Sequence, residues 1–209
     1  MNNLINLNSM NYTPEYPLDI NGWNGNSNIF KYLIELKKPK IIVEVGTWKG
    51  QSALNMANAV KKLNLESKIY CIDTWLGAEE FWTWLKNTPE RNLLFKNGYP
   101  QIYYQFLSNV FHTKNQDIII PIPTTSHIGS KILKHYNIKP DLIYIDGSHD
   151  YDDVLVDLND YHKLLNDNGV IFGDDYFAFD GVKNAVNCYC NTNNIRYELL
   201  ENNFWMIKK

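Results

Sequence analysis

Short apolar runs alternate with segments of helical periodicity from about residue 29 to the end of the chain. The run KIIVEVG is rich in β-branched residues and ends in a glycine turn, after which the helix-forming segment QSALNMANAVKKL begins. Four further runs, KIYCID, DIIIPI, DLIYID and GVIFGD, predict strands, and stretches such as SKILKHY and DVLVDLNDYHKLL predict helices between them. This alternation predicts a parallel sheet that is covered by helices on both faces.

The last two apolar runs are joined in a different way. RYELLE and FWMIKK are connected by the turn pair Asn202-Asn203, which is typical of a hairpin. Such a hairpin is expected to close the sheet with an antiparallel strand. The chain is therefore predicted to be an α/β protein: a Rossmann-like three-layer sandwich with a seven-stranded, mostly parallel sheet and a C-terminal antiparallel hairpin.

Two segments depart from the alternation of strands and helices. Residues 1–28 mix Asn, Pro, Gly and Tyr without a period, which predicts an N-terminal arm, and Tyr12, Tyr16 and Trp23 of this arm could cover a pocket. Residues 29–209 are predicted to form one domain. Its connection at about 76–116 is unusually long and crowded with aromatic residues. We expect a helical insert that shapes a substrate pocket or a homo-oligomer contact, unless it only adds helices to an ordinary core.

Charge and hydropathy narrow the classes of partner. The 209 residues carry a formal net charge of −3, so no excess of Lys and Arg is available to neutralise a nucleic-acid backbone. No apolar run approaches the roughly 20 residues that span a bilayer, and the Asn-rich start lacks a basic region followed by an apolar one. We expect a cytoplasmic protein that has neither nucleic acid nor membrane as its partner.

The first candidate site is the segment EVGTWKG, where the first strand gives way to a helix. Gly46 and Gly50 allow the backbone to approach a ligand closely, and the amides at the helix start can hold a carboxylate or phosphate. Ser52 can add a hydroxyl donor. The spacing is neither the GxGxxG fingerprint nor a P-loop.

An acid at the end of the second strand is the next candidate. Asp73 follows the glycine turn by a little over twenty residues and is placed to accept hydrogen bonds from ribose hydroxyls. The alternative is that Asp73 and Thr74 only cap a helix, since Asp favours such positions without any ligand.

Together these residues resemble the class I S-adenosylmethionine-dependent methyltransferases. The first motif of that class reads acidic-x-Gly-x-x-x-Gly, and its second strand ends in an acid; the matching residues here are Glu44, Gly46, Gly50 and Asp73. The resemblance covers about residues 40–209. It implies S-adenosylmethionine as the cofactor, with contacts from Glu44, Gly46, Thr47, Gly50, Ser52, Asp73, Thr74, Ser126, His127 and Asp146.

The strand ends IDGSHDY and FGDDY resemble the metal-assisted O-methyltransferases, both the catechol type and the macrolide or sugar type. Asp146, Asp174 and Asp175 would offer hard oxygen ligands to a divalent cation, with Mg²⁺ the expected ion. His149 corresponds to a basic residue that takes the hydroxyl proton, and Asp150 is a reserve base. The catechol enzymes have Lys and Asn at the positions of His149 and Asp175.

A structural alternative for these acids is the capping of a helix. Asp150, Asp152 and Asp153 precede a helical segment whose amino end favours negative charge.

Several functions are compatible with these residues. The leading hypothesis is O-methylation of a sugar or glycan hydroxyl, and the first alternative is a phenol or another small natural product. A hydroxylase-type enzyme and a non-catalytic cofactor-binding subunit on the same scaffold are the remaining alternatives, since fold alone does not fix the reaction. The glycine spacing argues against an NAD-dependent dehydrogenase.

Overall fold

A computed structural model describes residues 4–83 and 92–209. Its strands are β1 (Ile41–Val45), β2 (Lys68–Asp73), β3 (Ile119–Pro123), β4 (Leu142–Ile145), β5 (Val170–Gly173), β6 (Tyr197–Leu199) and β7 (Trp205–Lys208). Its helices are α1 (Asn28–Lys37), α2 (Gln51–Lys62), α3 (Glu79–Trp82), α4 (Ile102–His112), α5 (Ser126–His135), α6 (Tyr151–Tyr161) and α7 (Asp180–Asn193).

Within the described residues, seven strands form one sheet in the order β3-β2-β1-β4-β5-β7-β6. The first five strands run parallel, and β7 pairs antiparallel with both β5 and β6. The predicted α/β fold and C-terminal hairpin are therefore confirmed. The strand that the hairpin inserts next to β5 is the last one, so β6 lies at the edge of the sheet.

Alternate residues of each strand enter two different cores, as the pleat of a strand requires. Ile42 packs with side chains of α1, α2 and α4 on one face, and Val43 packs with side chains of α5, α6 and α7 on the other. This arrangement confirms the three layers. Helix α7 is an element that the sequence analysis did not name, although its buried residues follow a helical spacing: Val182, Ala185, Val186, Tyr189 and Cys190.

Helices α3 and α4 lie in the connection between β2 and β3. Phe106 of α4 is fully buried against Trp75, so the described part of this connection contributes to the core. Residues 84–91 of the predicted insert and residues 1–3 of the predicted arm lie outside the described residues.

The order of the strands determines where a ligand can bind. Strand β1 has β2 on one side and β4 on the other, so the connections after β1 and β4 leave the sheet toward opposite faces. Such a topological switch point opens a crevice at the carboxyl ends of the strands. Across residues 4–83 and 92–209, none of the helices has the length and apolar character needed to cross a bilayer.

Candidate active site

The turn between β1 and α2 lies in this crevice and requires glycine. Gly46 has φ +82°, and a Cβ on it would overlap the carbonyl oxygen of Asp146 at the end of β4. Gly50 has φ +90° and precedes the first residue of α2. These backbone conformations disfavour any L side chain. The turn therefore packs directly against the strand end that carries the predicted metal ligand.

Glu44 holds this turn from below. Its fully buried carboxylate accepts hydrogen bonds from Ser52 Oγ and from Thr47 Oγ1 at 3.0 Å, and Cys71 Sγ lies 3.5 Å away. Burial raises the pKa of Glu44 to about 7, although the hydrogen bonds from Ser52 and Thr47 oppose the shift. The hydrogen bonds of Glu44 to Thr47 and Ser52 therefore fix the conformation of the turn. A contact of these three residues with a cofactor stays a prediction.

Asp73 joins the same turn from the end of β2. Its Oδ2 accepts the backbone N–H groups of Thr47 and Trp48, each at 2.8 Å, and its Oδ1 accepts that of Trp75 at 2.7 Å. Burial raises its pKa despite these hydrogen bonds. The backbone N–H of Thr74 also stabilises this carboxylate, so four backbone donors match the roughly four lone-pair sites that a carboxylate offers. A contact of Asp73 with a ribose hydroxyl stays a prediction. Thr74 is exposed, and its hydroxyl accepts the N–H of Leu76.

Ser126 and His127 begin α5 and both contact α6. The carbonyl of Ser126 accepts the hydroxyl of Tyr161 at 2.6 Å, and Nδ1 of His127 lies 2.6 Å from Asp160 Oδ2. The side chain of His127 is therefore committed to a neighbouring helix. An adenine contact by these two residues stays a prediction.

A cluster of acids and a histidine lies at the carboxyl ends of β4 and β5. Ligand atoms of Asp146, His149 and Asp175 all lie within 4.8 Å of one another. Tyr144 in the core donates its hydroxyl to Asp146 Oδ2 at 2.9 Å and so fixes that carboxylate. Burial and the charges of Asp175 and Asp174 raise the pKa of Asp146 to about 8. A cation would relieve this repulsion. We call these three residues the Asp–His cluster.

His149 is held between two carboxylates. Its Nε2 lies 3.0 Å from Asp175 Oδ2, and its Nδ1 lies 3.6 Å from Glu80 Oε1 of α3. Phe179 stacks on the imidazole with 4.0 Å between ring centroids. Burial alone would lower the pKa of His149, but the hydrogen bond and charge of Asp175 outweigh it and raise that pKa. This environment orients the ring and favours its protonated form.

Asp174 and Asp150 are placed differently from the cluster. Asp174 Oδ2 accepts the side-chain amide of Asn24 at 2.9 Å, and its Oδ1 accepts the N–H of Asp175. Its carboxylate is thus already hydrogen-bonded on both oxygens. Asp150 is exposed and precedes α6 without a side-chain hydrogen bond to the helix. The predicted metal-ligand set and the reserve base stay predictions.

Residues 19–27 of the N-terminal arm cross over this site, and we call them the strap. One end is anchored by Asp19, whose carboxylate pairs with the buried Lys49 at 2.8 Å and whose backbone bonds to Asn109. The other end is anchored by Asn55, which donates to the carbonyls of Gly25 and Ser27. The strap therefore holds Trp23 and Asn24 between two fixed points.

Three aromatic side chains meet where the strap, the turn and α3 come together. Trp23 lies 6.4 Å from Trp48 and 6.1 Å from Phe81 between ring centroids, and Trp48 lies 4.8 Å from Phe81. Trp23 is 45% exposed, whereas Phe81 is 9% exposed. We call this group the aromatic wall. It offers an apolar surface beside the Asp–His cluster, because Glu80, the residue before Phe81 on α3, lies 3.6 Å from His149.

Residues 43–176 match a family model described as a methyltransferase domain. The chain belongs to this methyltransferase family. The matched segment contains the glycine turn, Asp73, Asp146 and His149, and it reaches Asp174 and Asp175. The family predicted from these residues is thereby confirmed.

Solved methyltransferases share the fold. An O-methyltransferase from Bacillus cereus in complex with SAH matches with a TM-score of 0.61 and 13% identity, over 93% of this chain and 84% of that one. An apo TDP-rhamnose 3′-O-methyltransferase of calicheamicin biosynthesis matches with a TM-score of 0.61 and 15% identity, over 88% and 78%. At such low identity the likeness concerns the fold alone.

The sequence of this chain is also similar to that of a viral protein. An uncharacterized protein of Acanthamoeba polyphaga mimivirus is 34% identical over 138 residues, which are 64% of this chain and 50% of that protein. This methyltransferase therefore spans about half the length of the curated relative that it matches.

Sequence reasoning missed four residues of this candidate site: Asn24, Glu80, Tyr144 and Phe179. Tyr144 lies in a predicted strand two residues before Asp146, so it faces the same side of the sheet, and that period was the available signal. Asn24 and Glu80 come from the arm and the insert. No local pattern links those segments to the strand ends.

Proposed function

We propose that this protein transfers a methyl group from S-adenosylmethionine to a hydroxyl of a sugar or glycan, assisted by a divalent cation. The observation that carries the proposal is the position of the Asp–His cluster, which lies directly beside the glycine turn through the contact between Gly46 and Asp146. A methyl donor in the turn and an acceptor at the cluster would be neighbours.

The methyl donor would supply an electrophilic methyl group on its sulfonium. The residues proposed to bind it do so through the backbone at Gly46 and Gly50 and through the carboxylate of Asp73, which also holds the backbone of the turn. Glu44 keeps the turn in shape from within the core.

The donor set of the Asp–His cluster fits a divalent cation. The carboxylates of Asp146 and Asp175 are oxygen ligands suited to Mg²⁺ or Mn²⁺, whereas the imidazole of His149 is kept for proton transfer. Burial, and after it the charges of Asp175 and Asp174, raises the pKa of Asp146, and a bound cation would favour the ionised form of this acid. Asp174 lies next to the cluster and can add an oxygen when Asn24 releases it. When bound, such a cation polarises a substrate hydroxyl and lowers its pKa.

His149 is the proposed base. Glu80 and Asp175 fix the two ring nitrogens, and Phe179 fixes the ring plane. A held imidazole of this kind can take a proton from a hydroxyl next to Asp146 once it is neutral. Asp150 is exposed at the start of α6 and serves as a reserve base in this proposal.

The aromatic wall supports a sugar acceptor. The exposed indole of Trp23 offers a flat apolar face of the kind that packs against sugar rings. The structural neighbour from calicheamicin biosynthesis, described as acting on TDP-rhamnose, has the same fold. A phenol would stack on the same wall, so a small phenolic acceptor is the second candidate.

The test is methyl transfer from isotope-labelled S-adenosylmethionine to nucleotide sugars and to catechol, with Mg²⁺ or with a chelator. We expect a methylated sugar by mass spectrometry, and we expect its yield to drop at least about tenfold with the chelator and in Asp175→Asn. Asparagine tolerates the φ of +66° at this position. The matched control is Asp117→Asn, which removes an exposed acid far from the cluster.

The outcome would separate the candidates. Methylation of catechol without any sugar product would replace the sugar by a phenol. Product formation that neither the chelator nor Asp175→Asn reduces would contradict the assistance by a cation.

A further inference from the structure

A cavity lies between helices α5 and α6, away from the Asp–His cluster. Its volume is about 540 Å³, and it is lined by α5, by the connection that leads into β4 and by the turn that leads into β5. Because these connections enter their strands, most of the cavity lies toward the amino ends of the strands, and its lining extends along α5 to His127 at the start of that helix. The Asp–His cluster lies at the carboxyl ends of the strands. Its volume falls within the range of small-molecule sites, roughly 300–1,000 Å³.

The walls of this cavity concentrate positive charge. Five lysines line it: Lys131, Lys134, Lys139, Lys163 and Lys209. The carboxylates among the lining residues are Asp160 and Asp167, and Asp160 is already paired with His127 at 2.6 Å. The whole chain carries a net charge of −3, so this local excess of lysine runs against the overall balance.

The ammonium groups of these lysines are not neutralised by ion pairs, which within the described residues is also true of other lysines such as Lys37, Lys62 and Lys183. Lys31, Lys61 and Lys208 each lie within 4.0 Å of a carboxylate. In the part of the chain that the structure describes, none of the five cavity lysines has a carboxylate within that distance. Lys209 Nζ instead donates to the carbonyl of Leu165 at 2.5 Å. Unpaired ammonium groups that share one cavity repel each other, and a bound anion would remove that cost.

The positive charge at the cavity also affects the pKa of the neighbouring His162. Burial lowers the pKa of His162, and the charge of Lys209 lowers it further. Polar groups that could complete an anion site also line the cavity, among them Ser130 and Asn137.

We infer that this cavity, which we call the lysine cavity, binds a small ligand that carries two or more phosphate groups. Ammonium groups are compact point charges that suit phosphate, and several of them match a ligand with several negative charges better than a single carboxylate. The volume favours a molecule of nucleotide size over a polymer. The inference does not depend on the methyl transfer proposed above, because its five lysines are not among the residues proposed for that reaction. His127 lines one end of the cavity and is also a predicted cofactor contact.

The test is a calorimetric titration with inorganic tripolyphosphate at low salt. We expect saturable binding to the unmodified protein, and a rise in Kd of at least about tenfold in the double variant Lys134→Gln with Lys163→Gln. The matched control is Lys31→Gln with Lys62→Gln, which removes the same charge from the helices of the other face and should change Kd by less than about twofold. Thermal unfolding checks that both variants are folded.

The outcomes separate a built site from general attraction. Equal weakening in both double variants, or heat without saturation, would overturn the inference. ATP and a single-stranded oligonucleotide are titrated in parallel. Tighter binding of ATP than of tripolyphosphate would support a nucleotide as the source of the phosphates, whereas tighter binding of the oligonucleotide would overturn the assignment of a small ligand.

Discussion

Glu44 lies fully buried in the first strand, and at the scale of single residues it makes the stability of the fold depend on pH. The pKa of this carboxyl rises from 4.5 to about 7, chiefly because of burial. The folded state therefore retains a proton that the unfolded state loses. The stabilisation from this group is present at acidic pH and is lost as the pH rises through about 7.

Replacing Glu44 with glutamine tests whether this side chain is a neutral, buried acid in the folded protein. We expect the free energy of unfolding of the unmodified protein, relative to that of Glu44→Gln, to fall between about pH 4.5 and about pH 7 and to be flat above that. Urea denaturation at several pH values measures it. Burial also raises the pKa of Asp146 to about 8 and that of Asp157 on α6 to about 7, but these two acids titrate in both proteins and cancel in the difference. A difference that rises with pH would refute the buried neutral acid.

The sequence predicts those site residues that lie at strand ends, and it does not predict those that distant segments bring to the site. Asp146 directly follows an apolar strand and Asp175 is the second residue after another, so the sequence alone placed both at the edge of a parallel sheet. Asn24 touches Asp174 from 150 positions away, and Glu80 reaches His149 from the insert. Such long-range contacts depend on tertiary packing, which no local period encodes.

At the scale of elements, the strap connects the arm to the methyltransferase domain. Its anchor at Asn109 is fully buried, where the side chain donates to the carbonyls of Asp19 and Lys49 and accepts the N–H of Asp19. The pair between Lys49 and Asp19 lies beside this anchor. The arm is thus held by polar contacts, which a hydrophobic pattern cannot predict.

Truncation of this anchor should loosen the strap. We expect Asn109→Ala to lower the free energy of unfolding by about 2 kcal/mol, because backbone groups that it satisfies lose their partner. Hydrogen exchange of residues 19–27 should become faster than in Asn184→Ala, which truncates an exposed amide on α7. Equal exchange of the strap in both variants would show that Asn109 does not anchor it.

Helix α7 illustrates a different limit. Its buried positions follow a helical period, but Asn, Cys and Thr dominate the rest of the segment, and these residues have modest helix propensity. The helix forms because it packs on α6 and the sheet. Tertiary packing therefore determines that this segment is a helix, which its helix propensity alone does not predict.

At the scale of the whole molecule, the fold separates two edges of one sheet. The alternation of strands and helices predicted the parallel sheet, and the turn pair Asn202-Asn203 predicted the terminal hairpin, because both signals are local. The carboxyl-end edge gathers the glycine turn, Asp73 and the Asp–His cluster. Most of the lysine cavity lies toward the amino-end edge. The family match over residues 43–176 covers the first of these sites.

The central claim is that the crevice at the carboxyl ends binds S-adenosylmethionine. Calorimetric titration of that molecule into the unmodified protein and into Asp73→Asn tests it most directly, with Asp117→Asn as the charge-matched control. We predict saturable binding with a Kd on the order of micromolar, weakened at least about tenfold by Asp73→Asn and unchanged in the control. Absence of saturable binding to the folded, unmodified protein would contradict the account.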